Sequence, residues 1–294
     1  MKKVLTDAPL VQALIDLRFS EIPSLSSIPT DLINKIHEAM ISVGFAEKIE
    51  SKGQSISIKF EQATQQATQE ITSVNRYLFR AAGERSIIEL SKSSLIYKST
   101  EYGTFEDFYK KFDEVLSSLI ELVPTLNKSL LKRVGLRYID VIVPDSGNTL
   151  EDFISNCLLA PKLNKPLNGC KHIHGLTSKV VEVNQNKMLR VAFEELPVEN
   201  NSIRKILPDE LVEPDQNCGL VIKGQSSWAN TSSPTYGILD IDHTFNFEAS
   251  PAFSINSIRE ATSGLYNQSK DVFWSLIKQP ALDIWGYKEI ENVE

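Results

Sequence analysis

Twice along this chain, in the same order, the apolar spacing shifts from every second residue to every third or fourth. Val11, Ala13, Ile15, Leu17 and Phe19 alternate with Gln12, Asp16 and Arg18, the period of a half-buried strand. A loop between Pro23 and Pro29 follows. Then Leu32, Ile33, Ile36, Ala39, Met40 and Val43 form a helical stripe that Thr30 or Asp31 can cap and Gly44 can end. Short alternating runs at 55–60, 77–81, 86–90 and 94–97 are separated by the turn-like Ala82-Gly83-Glu84-Arg85 and Ser91-Lys92-Ser93, and predict an antiparallel meander. Residues 61–72, rich in Gln, Thr and Ala, read as a surface loop or a weak helix. Thr104 then caps a helix with Glu106 and Asp107 in its first turn and Phe105, Phe108, Phe112, Val115, Leu116, Leu119 and Ile120 at helical spacing.

The second series opens with a strand over 131–143 and a short helix over 150–159. A hairpin follows at 179–183 and 189–193, further strands at 219–223 and 236–247, and a long helix at 255–277. Residues 197–215, with Pro208, Pro214 and several acids, read as an inserted loop. The expected fold is therefore α+β, in two related halves, 1–126 and 127–294, each an antiparallel sheet packed against a long amphipathic helix. An internal comparison points the same way. Residues 108–120 align without gaps on 265–277, matching Tyr109 with Tyr266, Val115 with Val272, Ser118 with Ser275, Leu119 with Leu276 and Ile120 with Ile277. The opening strands add Leu17-Arg18-Phe19 against Leu136-Arg137-Tyr138.

At 294 residues the chain has room for one large or two ordinary domains with substantial cores. No apolar run approaches the ~18 residues of a membrane span, and Asp7 and Pro9 interrupt the stretch after Lys2 and Lys3 before a signal-peptide core can form. Cys157, Cys170 and Cys218 are odd in number and widely spaced, which fits reduced thiols and a cytoplasmic setting. A net charge of −7 with scattered Lys and Arg would repel a phosphate backbone, so nucleic acid is disfavoured as a partner.

The strong catalytic signatures are missing: there is no GxxxxGK[ST], GxGxxG after a strand, HExxH or GxSxG, and no cofactor is called for. Asp240 and Asp242, two apart on a strand, share a face and would accept a divalent cation if other carboxylates joined them. His243 points the other way, as a packed histidine. His172 and His174 share a side if 171–175 is extended, with Cys170 beside them, and are the other metal candidates. Arg18, preceded by Asp16, and Arg137, followed by Asp140, are charged residues on apolar strands. Such positions either pair internally or bind a ligand.

Four segments carry a family likeness: Ala8-Pro9-Leu10-Val11 leading to Leu17-Arg18-Phe19, the central Arg133-Val134-Gly135-Leu136-Arg137-Tyr138-Ile139-Asp140, Gly237-Ile238-Leu239-Asp240-Ile241-Asp242, and a last helix running to Trp285-Gly286. Together they resemble a sporadically distributed family of bacterial proteins of about this length, with Asp140 where Asn is expected. The resemblance implies a scattered accessory gene of the kind common among defence and toxin–antitoxin components, and supplies no catalytic residues. The reading that results is a non-enzymatic binding module for a protein or small ligand, with Arg18, Arg137, Asp140, Asp240 and Asp242 as its candidate contacts. A metal-dependent hydrolase or nuclease built on Asp240 and Asp242 is the alternative, and pairing of the long helices between copies would make a homo-oligomer.

Overall fold

The computed structural model describes residues 2–61, 66–145, 147–161, 171–229 and 231–290. Its elements run β1 (Lys2–Leu5), β2 (Leu10–Phe19), α1 (Pro23–Ser26), α2 (Thr30–Ser42), β3 (Glu47–Glu61), β4 (Gln66–Arg80), β5 (Ser86–Ser91), β6 (Ser94–Ser99) and α3 (Phe105–Leu122). They continue with β7 (Leu131–Ile142), α4 (Leu150–Phe153), β8 (Gly175–Val183), β9 (Lys187–Pro197), α5 (Ser226–Ala229), β10 (Thr235–Asn246), α6 (Ile255–Leu276), α7 (Gln279–Ile284) and β11 (Tyr287–Ile290). The fold is α+β. One nine-stranded antiparallel sheet has the order β3-β4-β5-β6-β2-β7-β10-β9-β8, and β1 and β11 form a separate antiparallel pair.

The sheet has two unlike faces because its strands alternate. Ile15, Leu17, Phe79, Ile88, Leu95, Val134 and Leu136 point to the side where α2 and α3 pack, and share one core with Phe112, Leu116, Leu119, Ile258 and Leu265. Burying such side chains contributes ~1.5–3 kcal/mol each relative to exposure. Farther along, Leu189, Phe193, Leu239 and Ile241 pack against Phe153, Ile277, Ala281 and Trp285. Thr104 caps α3 by accepting from the Asp107 amide at 3.1 Å, as its sequence implies.

The opposite face carries arginines and carboxylates near its middle. Beyond them Ile139, Val141, Tyr236 and Ile238 are covered by Ile203, Ile206, Leu207, Leu211 and Trp228. The segment 197–215, expected as an inserted loop, is thus a packed cover that buries apolar side chains.

Several local expectations are corrected. Val11 does not share a face with Ala13: the pairing of β2 with β7 shifts between Leu10 and Gln12, so a β-bulge turns Val11 towards Ile139 and Val141. Residues 61–72 hold neither a loop nor a helix where described. Glu61 ends β3 and Gln66 opens β4, whose long hairpin pairs Ser55 with Thr72. Residues 219–223 are not a strand; the Val221 amide donates to the Glu84 carbonyl at 2.8 Å, across a turn, so no ladder forms. The helix expected over 150–159 stops at Phe153, because Ile154 turns extended and bridges Ile277. Pro29, not Thr30 or Asp31, holds the N-cap of α2, without a side-chain bond.

Candidate ligand-binding site

Arg137 and Asp140 lie three apart on β7, so alternation sends them to opposite faces of the sheet and they do not pair. Arg137 turns to the face covered by 197–215. Its Nε and Nη2 donate to the two Asp240 carboxylate oxygens, both at 2.7 Å, in a forked arrangement, and Nη2 also meets Glu210 at 2.7 Å. Arg190 contacts the same Asp240 oxygen and donates to Glu210 at 2.9 Å. Burial pushes the Glu210 carboxyl up, but a backbone hydrogen bond and the guanidinium groups of Arg137 and Arg190 outweigh it and bring it down to about 2. Arg18 forms an ion pair with Asp16 at 2.6 Å, and Arg133 donates to the other Asp16 oxygen at 2.6 Å.

Asp16, Arg18, Arg133, Arg137 and Glu210 line a groove of about 360 Å3 that also contains Asp242, Arg76 and Glu213. Burial raises the Asp242 carboxyl despite Arg137 beside it. Arg76 is held by Glu213 at 2.9 Å. Asp240 and Asp242 do share a face, but the Asp240 lone pairs already accept from two arginines, whose charge disfavours a cation. Among the described residues no group of three His, Cys, Asp or Glu side chains is placed to hold a metal ion. His172 instead contacts the Glu195 carbonyl at 3.2 Å, and His174 the Glu194 carboxylate at 2.9 Å. Cys170 lies outside the described residues. His243 is fully buried, with Nδ1 3.3 Å from the Leu265 carbonyl and 3.3 Å from Ser269 Oγ; burial lowers its pKa and keeps the ring neutral.

Asp140 faces the helices and has a different setting. It is 3% exposed, and among the described residues no hydrogen bond or ion pair reaches its carboxyl. Burial alone pushes that carboxyl up to about 8. Its strand partner is Leu10, at the bulge, an irregularity that re-aims side chains and recurs beside functional sites.

Asp140 forms part of the floor of a cavity of about 780 Å3, within the ~300–1,000 Å3 usual for small-molecule sites. Tyr138 and Ile241 share the floor, and the walls come from the N-terminal segment 3–11, from 100–105 and from one side of α6. The Tyr102 and Tyr138 hydroxyls stand 3.4 Å apart, with the rings edge to face at 5.6 Å. Tyr266 stacks on Phe105 at 4.1 Å between centroids. Burial raises all three tyrosines, so each phenol keeps its proton. Ser269, the His243 partner, is on the α6 wall with Lys270 and Trp274.

The N-terminal wall of this cavity is held in place by β11. β1 pairs with β11, and the Thr6 and Asp7 amides donate to the Gly286 and Trp285 carbonyls at 3.3 and 3.1 Å. Gly286 has φ +64, and a Cβ there would meet Thr6 Oγ1 at 2.0 Å. Trp285 is buried against Phe153, whereas Trp274 lines the cavity.

Of the residues singled out from the sequence, the groove gathers Arg18, Arg137 and Asp242, with Asp240 on the guanidinium of Arg137, while Asp140 stands apart in the cavity. The aromatic wall was not legible as a site, because Tyr102, Tyr138 and Tyr266 come from three distant segments and each reads as ordinary core. A partial signal existed: in the alternation of β7, Asp140 falls with Leu136 and Tyr138 on the helix-covered side, where an acid is out of place. No helix among the described residues is long and apolar enough to cross a membrane. The chain matches no protein-family model, and no curated protein matches it.

Proposed function

We propose that this chain is a binding protein for a small ligand, held in the cavity above Asp140. One observation carries the reading: a carboxyl group with no partner among the described residues, 3% exposed, forming the floor of a cavity of about 780 Å3. A buried polar group without a bond costs several kcal/mol at the upper end of its ~1–7 range. A site that leaves one facing a cavity is organised for a molecule that will satisfy it. On the other face Arg137, Arg190, Asp240 and Glu210 are, by contrast, already bonded to one another, which supports a structural role for Arg137 and Asp240 over a hydrolytic one. An accessory or sensor component of a bacterial defence or toxin–antitoxin system, as the family resemblance implies, is the setting we propose for such binding.

The experiment is native mass spectrometry of protein gently purified from its host, beside a Gly103→Phe variant. Gly103 is on the cavity wall with nothing within 4 Å of where a Cβ would stand, so a larger side chain can be added at the wall without a clash at its root. A small added mass lost in the variant supports the proposal. A mass retained equally by both proteins, or a host protein bound in its place, counts against it.

The last outcome would favour a second reading, a protein partner at the sheet edge. The outermost strand β8 carries Leu176 and Val180, with Met188 on the adjoining β9, at exposures of 60%, 56% and 49%. Unpaired strand edges with apolar neighbours are receptive to an added strand.

We also infer that the two segments are related halves. Their opening strands β2 and β7 lie side by side, each with the rest of its own segment beyond it. The N-caps Thr104 and Ser254 are 150 positions apart, whereas the ungapped match uses an offset of 157, about two helical turns out. The topology supports the relation better than that alignment does.

A further inference from the structure

The surroundings of Asp140 say what kind of molecule fits. We infer that the ligand is an organic cation, an amine or amidine whose N–H groups donate to the Asp140 carboxyl while its carbon frame lies against the tyrosine rings. This rests on the cavity being the binding site.

Three features converge on positive charge. An isolated carboxylate in a low-dielectric pocket is relieved most by an opposite charge that also donates hydrogen bonds. The rings around it present faces that attract cations. The chain itself already shows this attraction: Lys270 Nζ lies 5.2 Å from the centre of the Tyr266 ring, and Lys3 Nζ 5.5 Å from that of Trp274. At Asp140 itself a ligand anion offers no hydrogen-bond donor, and a neutral alcohol bonds only the protonated carboxyl and draws no proton off it.

Binding of a cation then displaces a proton. Tyr138 on β7, Tyr102 before α3 and Tyr266 on α6 stay protonated, and Lys3, Asp7, Arg85, Glu101, Lys223 and Lys270 also line the cavity, with Glu106 close enough to act on Tyr102 and Tyr266. Asp140, raised to about 8, is the buried acid in the cavity that titrates near neutrality. A cation bound at pH 7 therefore releases roughly 0.9 proton.

The test is isothermal titration with four compounds that share one ring and differ in the head: benzamidine, benzylamine, benzyl alcohol and benzoate. Each is run in phosphate and in HEPES, whose ionisation heats differ, so that the proton count can be read from the two heats. The two cations should bind at least tenfold more tightly than the other two and release close to one proton. Asp140→Asn should abolish both the preference and the release. Benzoate or benzyl alcohol binding as well as the cations, and weakened by Gly103→Phe, would overturn the cation assignment and leave the cavity as a ligand site. No compound sensitive to Gly103→Phe would overturn both.

Discussion

Arg137 and Asp140 stand three residues apart on one strand, yet the first has its guanidinium bonded to Asp240 and Glu210 at 2.7 Å and the second has no partner among the described residues. The pleat separates them: one charge completes a network, the other is left facing a cavity. Each side of this contrast leads to a measurable consequence.

Asp140 should weaken the fold as pH rises. Its folded value of about 8 lies above the ~4 of an unfolded aspartate. Between those values the folded chain holds a proton that the unfolded chain has given up, so stability falls with rising pH and levels off above pH 8. His243, whose pKa is lowered, acts in the opposite direction up to its unfolded value. The comparison with Asp140→Asn isolates the aspartate. Urea unfolding from pH 5 to 8 should find the variant more stable, by a margin growing at up to about 1.4 kcal/mol per pH unit and reaching on the order of 2 kcal/mol or more. A margin independent of pH would show that Asp140 does not carry a raised pKa.

Arg137→Ala should cost ~3–5 kcal/mol, because it strands the Asp240 carboxylate at 3% exposure with only Arg190 beside it. Arg137→Met combined with Asp240→Leu removes both buried charges, and should recover most of that loss, since Arg190 and Glu210 are open enough to hydrate. Equilibrium denaturation of Arg137→Met, Asp240→Leu and the double gives the coupling. Purely additive losses would mean that the pair is not a unit.

Gly286→Ala should loosen the pairing of the termini. A φ of +64 disfavours any side chain by ~1–2 kcal/mol, and the new Cβ would push into Thr6 Oγ1 at 2.0 Å. Hydrogen exchange at the Thr6 and Asp7 amides should quicken several-fold, with that at Leu136 in β7 unchanged. The same variant should bind cavity ligands more weakly, since residues 3–11 form one wall.

Most strands were legible because a period of two is a local property: β2, β5, β6, β7, β9 and β10 follow from which neighbours are apolar. The apolar stripes of α2 and α3 and the Thr104 cap of α3 follow in the same way from spacings of three and four. The bulge at Val11 was not legible, because it depends on what β7 places opposite. The segment 197–215 is the inserted loop its composition implies, but its packing was not legible, because Ile203, Ile206 and Leu211 gain burial only against a sheet formed by other parts of the chain.

The candidate site divides along the same line. By itself the sequence determined that Asp240 and Asp242 share one face of a strand, that His243 takes the other, and that Asp140 is an acid among apolar neighbours, since alternation needs no knowledge of the rest of the molecule. Only the tertiary structure decided that Arg137 is bonded to Asp240 across the β7–β10 pairing while Tyr102, Tyr138 and Tyr266 surround the cavity above Asp140. Arg137 and Asp240 are 103 positions apart and Tyr102 and Tyr138 are 36 apart, and the burial that sets their electrostatics exists only once the helices and the segment 197–215 pack over the sheet.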